Sequence, residues 1–192
     1  MIEPTRQTKA LAACGIAGVA AFVATWAAGS VSLGGYSAVQ DAISQLAAVD
    51  RPTRASMTAG FVAFGLGVPL FAQALRRTLG GPAWIAATTT GLATLGVAAT
   101  PLGRFDAAHL WFATLGYASL AATPLLAAPT LRARGSRLAA NWSLVCGVAS
   151  AVLLAASTID VANGVTQRLG LGLVDLWIVI AAVSIIRTRR TA

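Results

Sequence analysis

Charge is what this 192-residue chain has least of: Asp, Glu, Lys and Arg together make up 10 % of it. Soluble domains carry about a quarter, so there is too little charge here to cover a water-exposed surface. The chain has one histidine, His109, one lysine, Lys9, and two cysteines, Cys14 and Cys146. Two cysteines and one histidine do not complete a common zinc site. No phosphate-cradling glycine loop with its lysine and no haem-ligating histidine pair occurs. No metal and no cofactor is therefore expected. What fills the chain instead is apolar: 57 % from the set AVILMFWYC, nineteen glycines, and a mean hydropathy of +0.75. That composition is that of a polytopic membrane protein.

The few charges divide the chain into windows. No charge lies between Lys9 and Asp41, Arg54 and Arg76, Arg77 and Arg104, Asp106 and Arg132, or Arg137 and Asp160. Between Arg168 and Arg187 there is one, Asp175. Each window approaches or exceeds the ~20 residues that cross a bilayer as a helix. An all-α bundle of six spans is predicted, at about 10–30, 56–76, 82–102, 108–130, 139–159 and 168–187, filling residues 1–192 as a single transmembrane domain. Small residues such as Ala59, Ala63 and Gly67 recur at four-residue spacing, which lets helix backbones approach closely in lipid. Pro69 and Pro124 fall inside spans and are expected to kink them.

Basic residues cluster on alternate connections. One side collects Arg6, Lys9, Arg76, Arg77, Arg132, Arg134, Arg137, Arg187, Arg189 and Arg190, ten of the fourteen; the other holds Arg51, Arg54, Arg104 and Arg168. The positive-inside rule then places both termini in the cytoplasm. Thirteen arginines against one lysine, with abundant alanine, fit a GC-rich bacterial genome, so the expected site is a bacterial cytoplasmic membrane. Neither cysteine reaches the oxidising side, which argues against a disulfide. The net charge of +8 is divided among separate anchors. It has no recognition motif with it, and no nucleic-acid partner is expected. The expected partners are membrane lipids, with a membrane-protein partner or a second copy of the chain as further options.

The predicted outer half holds the polar residues. In 38–47, Ala38, Val39, Ala42, Ile43, Leu46 and Ala47 recur at helical spacing, with Gln40, Asp41, Ser44 and Gln45 opposite. This predicts an amphipathic helix, capped by Ser37 and Gln40 and folded over the bundle mouth with Ile43 and Leu46 buried. Asp106 and His109 are three apart on a helix start, the minimum of an acid–base pair. Asp175 sits within a span, where a carboxylate is expensive and points to function; its structural alternative is a bond to the Thr88–Thr90 or Tyr117 hydroxyls. Trp177 should then face lipid. Candidate catalytic residues are Asp41, Asp106, His109 and Asp175; candidate ligand-binding residues are Tyr36, Ser44, Arg104, Asp160, Gln167 and Arg168. Scarcity of water at the boundary predicts that Arg168 pairs with a carboxylate, Asp41 or Asp175.

The stretch Tyr36-Ser37-Ala38-Val39-Gln40-Asp41-Ala42-Ile43-Ser44-Gln45-Leu46 resembles the D-x-I-S-x-L stretch of domain-of-unknown-function family 998. His109 at the start of the fourth span and Gln167-Arg168 before the last are similar to that family too. The resemblance implies a six-helix bacterial or archaeal membrane protein and brings no established activity. The function expected is binding of a lipid or other amphiphile in an outward-facing polar cavity. Alternatives are an enzyme modifying a lipid or isoprenoid with Asp/His acid–base residues, and a structural subunit of a cell-envelope complex. A proton-coupled transporter using Asp175 is disfavoured, because six spans without an internal repeat do not suit alternating access.

Overall fold

In a computed structural model describing residues 4–159 and 162–188, every charge-free window is helical. The helices are α1 (Arg6–Ser32), α2 (Arg54–Thr78), α3 (Ala83–Ala99), α4 (Asp106–Ala133), α5 (Arg137–Ala156) and α6 (Asn163–Arg187). No strand occurs among the described residues. Five of these helices are long and apolar enough to cross a membrane. The sixth, α3, has 17 residues and is about 25 Å long at 1.5 Å per residue. Pro82 precedes it and Pro101 follows, so neither end extends as far as the predicted span. The protein is a multi-pass membrane protein built as a helical bundle.

Each helix packs on its neighbour in sequence, and α6 closes back on α1. Two ends follow. At the terminal end, Arg134 after α4 donates to Thr78 O and Leu79 O after α2, and Lys9 Nζ reaches Thr188 O at 3.2 Å. At the loop end, Val49 N donates to Leu102 O and Val165 N to Val39 O.

The α1–α2 seam is where small residues matter most. A Cβ at Gly67 would stand 2.5 Å from Cys14 O, and one at Gly18 would stand 2.9 Å from Ala63 O. The two backbones therefore touch, and glycine is what allows it. Pro69 lies within a continuous α2, with its ring against Gly91 of α3. Helix α6 begins at Asn163, five residues before the predicted start. Gln167 and Arg168 thus project from its first turns.

Trp177 corrects the expectation that it faces lipid. It is buried, donates from Nε1 to Ser143 Oγ at 2.8 Å, and meets Phe71 edge-on. An indole N–H in an apolar span needs an acceptor, and α5 offers one.

Candidate functional site

Residues 33–53 form a lid over the loop end. They contain a 3-10 helix, Ile43–Ala47, in place of the amphipathic α-helix predicted over 38–47. The backbone is extended at Ala42, which breaks the helix. The cause is competition from α6. Ala38 O and Asp41 O accept from Arg168 Nη1 at 2.9 and 3.1 Å, and Ile43 N donates to Gln167 Oε1 at 2.7 Å. Backbone groups committed to a distant helix are lost to a local one. The predicted facing is retained: Ile43 is 2 % exposed and Leu46 0 %. Half of the predicted capping box also forms, with Gln40 N on Ser37 Oγ at 3.3 Å. The Ser37 amide is taken by Asp41 Oδ2 at 2.7 Å.

Arg168 corrects a second expectation. Among the described residues it pairs with no carboxylate. Its guanidinium donates to Ala38 O, Asp41 O, Gly164 O and the Tyr36 hydroxyl, and lies over the rings of Trp26 and Tyr36 at 5.3 and 5.7 Å. Carbonyls and π-faces solvate the charge without a counter-ion. The fit is close: a Cβ at Gly164 would stand 2.6 Å from both Ala38 O and Asp41 O. Burial pushes the Tyr36 phenol above its ordinary pKa, and the Arg168 guanidinium opposes part of that rise. Tyr36 therefore stays neutral and donates to Asp41 O and Ala42 O, both at 3.2 Å.

Beneath the lid is a narrow cavity of about 60 Å³. Phe22, Phe61, Phe64, Phe112, Leu120 and Leu171 supply its apolar walls. Its polar groups are Ser44, Thr90, Thr94, His109, Tyr117 and Gln167, and among the described residues no Asp, Glu, Lys or Arg lines it. Hydrogen-bond logic settles two of these. His109 is 5 % exposed, and its Nδ1 lies 2.7 Å from Thr100 O, which accepts only. Nδ1 therefore carries a proton and donates to Thr100 O, and Nε2 has no protein partner among the described residues. Ile43 N donates only, so it meets the oxygen of the Gln167 amide. The amide nitrogen then donates to Tyr117, and the Tyr117 O–H is left to donate elsewhere.

Of the residues predicted for a site, Ser44, His109 and Gln167 reach this cavity. Tyr36, Asp41 and Arg168 build the lid above it. Asp106 does not pair with His109: its Oδ1 accepts from Gly103 N at 2.7 Å and closes the turn before α4. Arg104 lies over the Phe105 ring at 5.1 Å. Asp160 lies outside the described residues. Asp175 is 5 % exposed and takes no hydrogen bond from the hydroxyls expected to meet it, since Thr90 bonds Ser119 and Tyr117 bonds Gln167. Its Oδ1 is buried without a partner. Tyr117 and Thr94 were not singled out as ligand groups. The signal available was a lone phenol in an apolar span, a group that must find a partner there. Among the described residues, no three His, Cys, Asp or Glu side chains gather to hold a metal.

Comparison with curated proteins gives no match, and comparison with solved structures gives none. A family model does match residues 16–184, from the middle of α1 to the end of α6. The lid, the cavity and helices α2 to α5 fall inside that range, with most of α1 and α6, and the chain belongs to the family described as protein of unknown function (DUF998).

Proposed function

We propose that the cavity under the lid binds an uncharged amphiphile, with its tail among the phenylalanines and a hydroxyl-bearing head at His109. The observation that carries this reading is a buried imidazole lining an apolar cavity with Nε2 unpartnered. In the neutral ring that nitrogen accepts, and a hydroxyl on the ligand supplies the donor. Tyr117 is eight residues further along α4, and its hydroxyl reaches back to the Gln167 amide beneath the lid. Its O–H can donate to a carbonyl or ether oxygen of the same molecule. The lack of a charged lining residue among the described residues favours a neutral head over a carboxylate or phosphate. By the positive-inside rule, the cavity opens to the outer face and both termini are cytoplasmic, because ten of the fourteen basic residues belong to the terminal end.

The test is photo-crosslinking with a diazirine-bearing long-chain alcohol, mapped by mass spectrometry. Adducts are expected on cavity residues such as Phe64 and Phe112, with the matching fatty acid giving far fewer. His109→Phe is expected to reduce cavity labelling by up to about tenfold, the value of one hydrogen bond. The reading fails if adducts are no denser in the cavity than on the lipid-facing Leu110 and Trp111, or if His109→Phe leaves them unchanged.

A further inference from the structure

A second opening lies at the terminal end, among the ends of α2, α4 and α6 and the start of α5. It is a groove of about 740 Å³. Leu131, Trp142, Ile180 and Ile185 form apolar walls, and Arg77 and Arg134 stand in the same lining. Its floor is Trp177, whose indole N–H is already bonded to Ser143 and so adds ring surface without a free donor.

Both arginines line the groove. Arg134 donates Nη1 to Thr78 O and Nη2 to Leu79 O, both at 2.7 Å, which fixes its guanidinium beside Arg77 in sequence. Arg77 Nη1 donates to Gln7 Oε1 at 2.9 Å. Neither pairs with a carboxylate among the described residues, and each keeps unused N–H donors. The result is two planar cations, without a carboxylate partner among the described residues, on a largely apolar groove in a membrane protein. A phosphate matches the guanidinium forks, and an acyl chain matches the walls.

We propose that this groove holds an anionic phospholipid, with its phosphate at Arg77 and Arg134 and one acyl chain along Trp142 toward Trp177. The site is independent of the cavity under the lid, shares no residue with it, and selects the opposite ligand charge. The positive-inside orientation would set it in the cytoplasmic leaflet, but its chemistry does not need that orientation.

The test uses the full chain in vesicles of phosphatidylcholine containing a minor share of phosphatidylglycerol, one lipid at a time carrying brominated acyl chains. Two single-tryptophan variants are compared. One keeps Trp142, which is 37 % exposed in the groove; the other keeps Trp111, which is 78 % exposed elsewhere and serves as reference. At Trp142, brominated phosphatidylglycerol is expected to quench several-fold more than its share of the bilayer predicts, and at Trp111 in proportion to that share. Arg77→Gln with Arg134→Gln should abolish the excess. Arg77→Lys with Arg134→Lys should keep much of it, which separates lost charge from lost folding. Arg132→Gln should keep all of it, since Arg132 bonds Asn141 and does not line the groove. Soluble glycerol phosphate should not displace the lipid. Equal enrichment at Trp142 and Trp111 would show an ordinary surrounding lipid. Quenching at Trp142 below its share would show the groove filled by protein, and displacement by glycerol phosphate would show a site for a free anion. Any of these results, or an excess that survives the double Gln variant, overturns the proposal.

Discussion

Arg168 Nη1 lies 3.1 Å from the backbone oxygen of Asp41, while the Asp41 carboxylate turns away to the Ser37 amide at 2.7 Å. The two residues meet, yet through a carbonyl and not as an ion pair. The carboxylate ties the lid's turn, and the guanidinium ties that turn to α6. Removing the charge of Asp41 should therefore matter little to Arg168. Asp41→Asn keeps an acceptor for the Ser37 amide and is expected to lower stability by well under 1 kcal/mol. Asp41→Ala is expected to lose about 1 kcal/mol, the value of a cap. Arg168→Ala is expected to lose about 2–3 kcal/mol of charge-assisted bonding, and Asp41→Asn in the same chain should not restore it. Thermal unfolding in detergent reads all four. A compensating effect of Asp41→Asn would restore the ion-pair account.

Gln167 joins lid and bundle through both ends of its amide. Gln167→Glu keeps the acceptor for Ile43 N and loses only the donor to Tyr117, whereas Gln167→Leu leaves a buried backbone N–H without a partner. The expected losses are about 1 kcal/mol and about 2–3 kcal/mol respectively. Hydrogen exchange at the Ile43 amide separates them: protection should persist in Gln167→Glu and vanish in Gln167→Leu. Equal protection in both would mean that the lid is held by packing of Ile43 and Leu46 alone.

The helices were legible because charge is so scarce. With long charge-free windows between arginines, little besides spans fits, and the ends of α1, α2 and α4 fall within a few residues of expectation. The burial of Ile43 and Leu46 was legible for the same reason, since their spacing marks one face whatever helix carries them. Partners distant in sequence were not. The lid is broken at Ala42 by groups on α6, more than 120 residues away. No local pattern around Ser37–Ala47 carries that information. The partners of Arg168 are illegible for the same reason, since the carbonyls and rings that solvate it come from Trp26 and the lid. Asp106 followed local helix-start chemistry and left His109 to Thr100.

The α1–α2 seam gives a packing test. Gly67→Val would drive its Cβ into Cys14 O at 2.5 Å. Overpacking of this kind costs about 1–3 kcal/mol, and backbone on the opposing helix cannot rotate away. Gly34→Ala, where nothing lies within 4 Å of the new carbon, should be near neutral. Thermal stability of the two purified variants decides it; similar losses would mean that the seam has room to spread.

Tyr36 makes the lid sensitive to alkali. Burial raises its pKa in the closed lid above the ordinary value of about 10. A group whose folded pKa is raised stabilises the closed form fully below the open-state pKa. That contribution is lost as pH rises through the folded value. The lid should loosen above about pH 10 and not on acidification to neutral. A spin label at Gln40→Cys, with Cys14→Ser and Cys146→Ala, should gain mobility there. Tyr36→Phe should flatten the pH response. A transition below pH 8, or one unchanged by Tyr36→Phe, would assign it to another group.

Asp175 presents the opposite case, a polar group with nothing to do in the structure. It lies seven residues after Arg168, nearly two turns, and so shares a helix face with it. The arginine's terminal nitrogens bond the lid and Gly164 O, and both Arg168 Nε and Asp175 Oδ1 are left buried and unbonded. A carboxyl in that setting destabilises the fold that contains it. Replacing it with an apolar residue of similar size removes the desolvation penalty and breaks no bond. Asp175→Leu is therefore expected to raise stability by about 1–3 kcal/mol, and Asp175→Asn, still polar and still without a partner, to change it less. Unfolding in detergent and in nanodiscs measures both. A loss of stability in Asp175→Leu would show that the carboxyl has a partner after all. A gain would leave Asp175 as a liability that packing does not explain, and its effect on alcohol crosslinking in the cavity one turn above, where Leu171 lines the wall, would then show whether ligand binding is what it serves.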